Sequence, residues 1–264
     1  NSKIVSVSSN GKVTAKKAGN ASIAVKIKNA EATCRITVNK TVIRLNKKAH
    51  SIENGYSFCL HASVSTGHEV TWKSNKKSVA SVNEKGVVTA KKPGSATITA
   101  TADKTSATCK ITVLTPKVTL NRTKASCYRG QTITLSVAST SKSRPKWKSS
   151  KKSVATVDEN GKVTAHKHGT AVITVTVDNV SKTCLLTVKK PKITFQPDTL
   201  TLKPGAFFTP SVTVSSGNKP VFSSSNINIA DVDENGKIHA RQPGKAYIYA
   251  KEDGAKASLI LTVR

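Results

Sequence analysis

A repeat of about 75 residues runs through the whole chain and constrains its fold more than any other feature. Cysteines stand at Cys34, Cys109 and Cys184, at equal intervals along the sequence. Because each period should be one structural unit, the repeat predicts four segments. They are the C-terminal half of a truncated repeat (1–40), complete repeats at 41–115 and 116–190, and a divergent repeat at 191–264. Two glycine series keep the same spacing: Gly11, Gly86, Gly161 and Gly236, then Gly19, Gly94, Gly169 and Gly244.

Inside one repeat the apolar residues recur every second position, which is typical of β-strands with one buried face. Ile133, Leu135 and Val137 alternate in this way, and Asn160-Gly161 is a strong hairpin signal. Seven or eight short strands separated by turns are expected in each repeat, with no helix. Such spacing predicts an all-β protein of two-sheet sandwiches with Greek-key connections.

One aromatic side chain recurs at a fixed place in the repeat, as Trp72, Trp147 and Phe222. We predict that these residues belong to the structural core. The same prediction applies to the cysteine series Cys34, Cys109 and Cys184, because an unpaired cysteine behaves as a small buried hydrophobe.

Two cysteines fall outside the series. Cys59 is out of phase with the inward residues around it and should face outward. Cys127 occupies an apolar position in an early strand that should run beside the last strand of its repeat. A Cys127–Cys184 bond is therefore the one disulfide that the pattern allows, and two free buried thiols are the alternative.

The best-defined family pattern lies in residues 70–75, 79–82, 86–90, 94–100 and 109–113, and the third copy repeats it almost word for word. It resembles the bacterial immunoglobulin-like group 2 repeat, and it is similar to the cell-adhesion repeats of intimin and invasin. The resemblance implies tandem Ig-like Greek-key β-sandwich domains in a linear array. It is weaker in the fourth copy, where Phe222 replaces tryptophan and Leu259 replaces cysteine.

No catalytic, cofactor or metal site is expected. Asp158 and Asp233 open acidic turns that resemble a fragment of a calcium loop, but hairpin turns explain them without an ion. His166 and His168 could form half a metal site, yet no third ligand has suitable spacing. No nucleophile is paired with a base, so we predict that the chain is not an enzyme and has no cofactor.

The formal net charge of +29 is carried partly by lysines that recur with the repeat. Three interpretations compete: lysines that keep the protein soluble, docking onto anionic cell-wall polymers or acidic glycans, and nucleic-acid binding. Aromatic residues are only 4% of the chain, which leaves few stacking platforms and argues against nucleic acid. The lysines predicted to contact a polyanion are Lys73, Lys76, Lys77, Lys91, Lys92, Lys148, Lys151 and Lys152.

The resemblance implies a non-catalytic stalk or spacer of a bacterial surface protein, extracellular or secreted, and the basic charge adds the expectation of electrostatic adhesion. The alternative is a specific adhesin or carbohydrate-binding module that recognises a host receptor or glycan. Its site would be in the divergent copy, where Tyr247 and Tyr249 share a strand face. We expect a monomeric rod without membrane insertion, an internal or C-terminal part of a longer protein, and lower order in residues 1–40.

Overall fold

The computed structural model describes residues 2–264, and every regular element in that range is a β-strand. The prediction of an all-β chain of tandem Ig-like sandwiches is confirmed. Two compact units divide the chain. Unit 1 reaches Pro116 and includes Thr140–Ser143, and unit 2 holds Lys117–Ser139 and Arg144–Arg264.

Unit 1 contains the half copy and the first complete repeat. The half copy has four strands: β1 (Val5–Val7), β2 (Val13–Ala15), β3 (Gly19–Ile27) and β4 (Ala30–Val38). The complete repeat has nine: β5 (Ile43–Leu45), β6 (Ala49–Ile52), β7 (Ser57–Cys59), β8 (Ala62–Val64), β9 (Thr71–Ser74), β10 (Ala80–Val82), β11 (Val87–Ala90), β12 (Gly94–Ala102) and β13 (Thr105–Val113).

Unit 2 repeats this series of nine strands twice. The first series is β14 (Val118–Leu120), β15 (Lys124–Cys127), β16 (Thr132–Thr134), β17 (Val137–Ser139), β18 (Lys146–Ser149), β19 (Ala155–Val157), β20 (Lys162–Ala165), β21 (Gly169–Val177) and β22 (Val180–Val188). The second is β23 (Ile193–Gln196), β24 (Thr199–Leu202), β25 (Phe207–Phe208), β26 (Ser211–Val214), β27 (Val221–Ser224), β28 (Ala230–Val232), β29 (Ile238–Ala240), β30 (Gly244–Glu252) and β31 (Ala255–Val263).

Each complete repeat is a sandwich with the same strand pairing. In the first, a four-stranded sheet of order β6-β13-β12-β9 faces a three-stranded sheet of order β10-β11-β7, and β5 pairs with β8. The core between the sheets is made by residues that alternate along the strands, such as Ile98 and Ile111 from one side and Val88 from the other. Unit 2 has the corresponding sheets β15-β22-β21-β18 and β24-β31-β30-β27.

The strand count is nine rather than the seven or eight predicted. The reason is that the first strand of each repeat changes sheets. In the first repeat, β5 pairs with β8, whereas β6 crosses over and runs parallel to β13. The apolar pattern continues through this crossing, so the sequence does not show where one pairing ends and the other begins.

A long hairpin dominates the four-stranded sheet of each repeat. Strands β21 and β22 pair over nine residues each, and Asp178 and Asn179 form the turn between them. Both turn residues have positive φ, 47° and 70°. A turn of this kind matches the right-handed twist of the strands that it joins.

The tip of the last hairpin meets the preceding repeat inside unit 2. Glu252 has a side chain only 1% exposed, and its Oε1 accepts from Arg129 Nε at 2.7 Å. Asn218 Nδ2 and Ser216 Oγ donate to the same carboxylate, both at 3.1 Å. Beside it, His168 Nδ1 lies 3.1 Å from Asp253 Oδ1. Because a buried carboxylate is stable only when it is paired and hydrogen-bonded, these contacts fix how the two repeats of unit 2 meet.

The half copy differs from the complete repeats in what covers its hairpin. Val25 and Ile27 are exposed, and so is Cys34 on β4. The prediction that Cys34 belongs to the core is wrong. Cys109 and Cys184 are covered by the facing sheet of their repeats, but no described strand of the half copy lies over Cys34.

The recurring aromatic residue lies at the edge of the core rather than at its centre. Trp147 is half-buried and packs against the core cluster of its repeat. Its ring lies against Gly161, which has φ +80°, in the turn before β20. A Cβ at Gly161 would collide with the Leu135 carbonyl oxygen and would lie 2.8 Å from the ring. Glycine is thus required here for two reasons: the backbone has a positive φ, and the tryptophan ring leaves no room for a side chain.

We expect Gly161→Ala to lower the free energy of unfolding of unit 2 by about 3 kcal/mol, because left-handed strain of about 1–2 kcal/mol adds to overpacking of about 1–3 kcal/mol. The matched control is Gly217→Ala, at φ +75° with open space around it. It should show the backbone strain alone. Denaturant unfolding measures both, and equal losses would contradict the proposed contact with Trp147.

Amides of the β3–β4 hairpin should exchange with solvent faster than those of β21–β22, although the two hairpins have the same nine-residue pairing. The reason is that the first hairpin has an uncovered apolar face, so that less burial opposes its opening. Hydrogen exchange resolved by residue is the measurement. Equal protection of the two hairpins would contradict the expectation that residues 1–40 are less ordered.

Candidate functional site: the lysine turns

In the first complete repeat two turns bring four lysines together. Lys76 and Lys77 lie in the turn between β9 and β10, and Lys91 and Lys92 follow β11. The Val79 carbonyl accepts from the backbone N–H of Lys91 at 2.8 Å and of Lys92 at 3.3 Å, and the Lys76 carbonyl accepts from that of Val79 at 3.0 Å. All four lysines are exposed. We call these two adjacent turns, taken together, the lysine turn of the repeat.

Buried polar groups hold the lysine turn in place. Ser74 is buried, and its Oγ donates to the Ala80 carbonyl at 2.6 Å and accepts from Lys76 N–H at 3.2 Å. Asn75 Oδ1 accepts from Thr97 N–H at 2.8 Å, which ties the turn to β12. The position of the lysine backbone is therefore set by the core sheet, and the ammonium groups remain in water.

The next repeat builds a second lysine turn in the same way. Ser149 Oγ donates to the Ala155 carbonyl at 2.7 Å and accepts from Lys151 N–H at 3.2 Å. The Val154 carbonyl accepts from the backbone N–H of His166 and of Lys167. The exposed cationic side chains at this turn are Lys151, Lys152 and Lys167, with His166 in the place of the fourth lysine.

None of the lysines in the two turns forms an ion pair within residues 2–264. The fourth copy has the same backbone hydrogen bonds at this place, but its cationic side chain is neutralised by an acidic one. The Ile229 carbonyl accepts from Arg241 N–H at 2.8 Å, and the Arg241 guanidinium makes two hydrogen bonds to Asp231 at 2.9 and 3.0 Å. These bonds lower the pKa of the Asp231 carboxyl. Uncompensated charge at this place is thus a property of the earlier copies.

The other predicted lysines are placed differently. Lys73 on β9 and Lys148 on β18 face outward from the four-stranded sheets, where they pair with Thr99 and Thr174. They are exposed but belong to the strands and not to the turns. In the half copy, Lys16 and Lys17 donate their backbone N–H groups to the Ile4 carbonyl, as the corresponding lysines do in the first lysine turn.

The predicted disulfide is excluded by strand register. Strand β15 does run beside β22, as expected, but Cys127 pairs with Val188, four residues beyond Cys184. Four residues of a parallel strand span about 13 Å, well beyond the ~7 Å that a disulfide can bridge. Both cysteines are free and buried, and burial raises the pKa of each thiol. Cys59 is exposed, as its phase predicts.

The aspartate side chains of the acidic turns accept hydrogen bonds from the backbone, which accounts for these residues without a calcium ion. Asp158 Oδ1 accepts from the N–H groups of Asn160 and Lys162, at 2.9 and 2.8 Å. Asp233 makes the corresponding pair of bonds in the last repeat. His166 Nε2 lies 2.8 Å from Thr156 Oγ1, whereas His168 lies beside Asp253, so the two histidines have separate partners. In the part of the chain that the structure describes, no three His, Cys, Asp or Glu side chains lie close enough to hold a metal ion.

The serines that hold the lysine turns were not predicted from sequence. Ser74, Ser149 and Ser224 recur with the period of the repeat, directly after an outward-facing strand position, and this recurrence was the available signal. Chemically, the arrangement offers clusters of strongly hydrated cations on a rigid support. It can attract anionic groups, but it contains no paired nucleophile and base.

The fold and these turns define a tandem Ig-like repeat protein. The family profile of the bacterial Ig-like domain (group 2) matches residues 41–113 and 115–188, more than half of the chain. The chain therefore belongs to this family, which confirms the resemblance stated from the sequence.

Similar proteins are known at lower coverage. An uncharacterized protein of Clostridium acetobutylicum is 35% identical in an alignment 123 residues long, and the match covers 42% of this chain and 12% of that protein. This chain thus matches only a small part of its relative.

Several solved structures are similar. The I9-I11 tandem from titin has a TM-score of 0.46 at 15% identity and covers 84% of this chain and 99% of its own. Invasin, described as a bacterial integrin-binding protein, has a TM-score of 0.32 at 13% identity and covers 97% and 68%. The S-layer protein rSbsC has a TM-score of 0.29 at 19% identity and covers 98% and 48%. The described residues contain no helix long and apolar enough to cross a membrane.

We expect Ser149→Ala to lower the free energy of unfolding by about 1–2 kcal/mol, because it leaves the Ala155 carbonyl without its buried donor. Ser153→Ala, in the exposed part of the same turn, is the control and should change stability by less than about 0.5 kcal/mol. Denaturant unfolding measures both. An equal effect of the two substitutions would show that the buried serine does not hold the turn.

Proposed function

We propose that the chain is a non-catalytic spacer of a bacterial surface protein, and that its lysine turns attach it to anionic polymers of the cell surface. The observation that carries the proposal is the geometry of the turns. In two successive repeats, exposed cations converge from two loops onto a fixed backbone and have no acidic partner among residues 2–264.

Charge and family membership support this role. A net charge of +29 creates a potential that favours encounter with polyanions at long range. Lysine is a point cation on a flexible stem, suited to a polymer whose anionic groups vary in position, whereas bidentate recognition would favour arginine. Ig-like repeats of this family in tandem provide the spacer, and an extracellular position at the bacterial surface follows from that role.

The test is binding to purified poly(glycerol phosphate), measured by calorimetry from low to physiological salt. We expect the affinity to fall with salt, as it does for other polyanion complexes. A variant with Lys76, Lys77, Lys151 and Lys152 changed to Gln should bind more weakly. Its slope of log affinity against log salt should become shallower by roughly 3, at about 0.7 per lost anionic contact.

The matched control removes the same charge elsewhere on the surface. It changes four exposed strand or loop lysines to Gln: Lys85, Lys110, Lys162 and Lys182. It should retain most of the affinity and of the salt slope. Equal losses in the two variants would mean that net charge alone acts. Absence of binding at every salt concentration would leave the lysines a role in solubility only.

A further inference from the structure

The outer face of the four-stranded sheet differs in the last repeat. Tyr247 and Tyr249 alternate on β30 and both face outward, with ring centroids 6.3 Å apart and ring planes within 7° of parallel. Tyr247 is 46% exposed, and its cross-strand partner Ile260 is 41% exposed. The sheet therefore presents to solvent one exposed tyrosine ring, a parallel half-buried one and an aliphatic side chain. We call this surface the tyrosine face.

The earlier repeats have the same strands without this surface. Val172 and Thr174 occupy the tyrosine positions in the preceding repeat, one period earlier, and Lys148 occupies the position of Ser223. Tyr249 is consequently flanked by two small hydroxyl side chains, because Ser223 and Ser258 are its cross-strand partners. Because serine replaces the lysine, no long side chain projects from this position of β27 beside Tyr249.

Cations surround the tyrosine face. Lys256 Nζ lies 3.5 Å from the centroid of the Tyr249 ring, a cation–π contact. Lys251 is the cross-strand partner of Lys256, and Lys245 lies at the other end of the strand. No Asp or Glu is among the outward-facing residues of β24, β27, β30 and β31, and the acid closest in sequence to β24, Asp198, precedes that strand. The surface is apolar at its centre and cationic at its rim.

A cavity of about 450 Å³ adjoins the cationic end of the tyrosine face. Its lining includes Val221, Lys251 and Lys256, which lie beside the tyrosine face, and Lys219. Arg129, Glu252 and Asp253 also line the cavity. Glu252 is paired with Arg129, and Asp253 Oδ1 lies 3.1 Å from His168 Nδ1. Lys219, Lys251 and Lys256 form no ion pair within the described residues, although Lys219 Nζ donates to Asn235 Oδ1 at 3.0 Å. With four cations and two acids in its lining, this concave site has a net positive charge and a size suited to a small ligand.

We infer that the tyrosine face binds an acidic polysaccharide through its sugar rings and its carboxylate groups. A pyranose has C–H faces that pack on an aromatic ring and a polar edge that hydrogen-bonds to hydroxyls such as those of Ser223 and Ser258. Its carboxylate would be met by Lys251 and Lys256 at the mouth of the cavity. The ligand is defined by this combination of flat apolar rings, polar edges and negative charge.

Other occupants fit the surface less well. A second copy of this chain would bring another +29 charge to a face that is already cationic. Single-stranded nucleic acid also combines flat rings with negative charge, but its binding normally uses a longer series of stacking side chains. Binding of nucleic acid is therefore one of the outcomes that the experiment distinguishes.

The experiment titrates the full chain with hyaluronan hexasaccharide at 0.15 M salt and follows the tyrosine ring resonances by NMR. We expect shifts confined to Tyr247 and Tyr249. The variant Tyr247→Val/Tyr249→Thr, which installs the residues of the preceding repeat, should keep the fold and lose at least about tenfold in affinity. Lys256→Gln should lose less, because Lys251 remains.

This inference does not rest on the lysine turns, and the two can fail separately. The variant with Lys76, Lys77, Lys151 and Lys152 changed to Gln should bind the hexasaccharide as the unmodified chain does, and the tyrosine variant should still bind poly(glycerol phosphate). The inference would be overturned by unshifted tyrosine resonances, by full affinity in the tyrosine variant, or by loss of hexasaccharide binding in the lysine variant. Equal affinity for oligothymidylate would assign the face to nucleic acid instead.

Discussion

The register of the nine-residue hairpin in each four-stranded sheet is the constraint on which the rest of the structure depends. Its inward positions, such as Ile173 and Leu186, build the core, and the outward positions between them are free to vary. A shift by one residue would exchange these two sets. The two-residue turn with positive φ at Asp178 and Asn179 allows one register only, so core and surface are fixed together.

Three surfaces of different chemistry use this one support. The lysine turns are attached to the hairpin by hydrogen bonds such as the one from Thr97 N–H to Asn75 Oδ1. The tyrosine face occupies the hairpin's outward positions in the last repeat, and its tip carries Glu252 into the contact with Arg129. The lysine and tyrosine residues pair or bond through their backbones as in any sheet, but their side chains lie outside the hydrophobic cores. Each repeat can therefore change these side chains at little cost to its fold. This independence allows unrelated surfaces to be carried on the same fold.

The contact at Glu252 shows how repeats in tandem can be held at a defined angle. The corresponding residues of the earlier copies are Ala102 and Val177, which are apolar. The Glu252 side chain is only 1% exposed, so its carboxylate needs hydrogen-bond donors from the protein. Arg129, Ser216 and Asn218 supply them. Removal of one partner of such a contact leaves an uncompensated buried charge, which costs about 3–5 kcal/mol. Within unit 2, therefore, the two repeats are joined by a polar contact that tolerates few orientations.

The sequence by itself determined the fold class, the repeat, the turns and the inward positions, because period-two alternation and Asn-Gly turns act locally. It also placed Cys127 beside the last strand. Only the tertiary structure decided that Cys127 lies opposite Val188 and not near Cys184, since register between distant strands leaves no local mark. The same holds for Cys34, for the buried serines under the lysine turns and for the Glu252 contact. In each case the outcome depends on residues far away in the sequence that pack against the position. A periodic pattern does not encode such distant contacts.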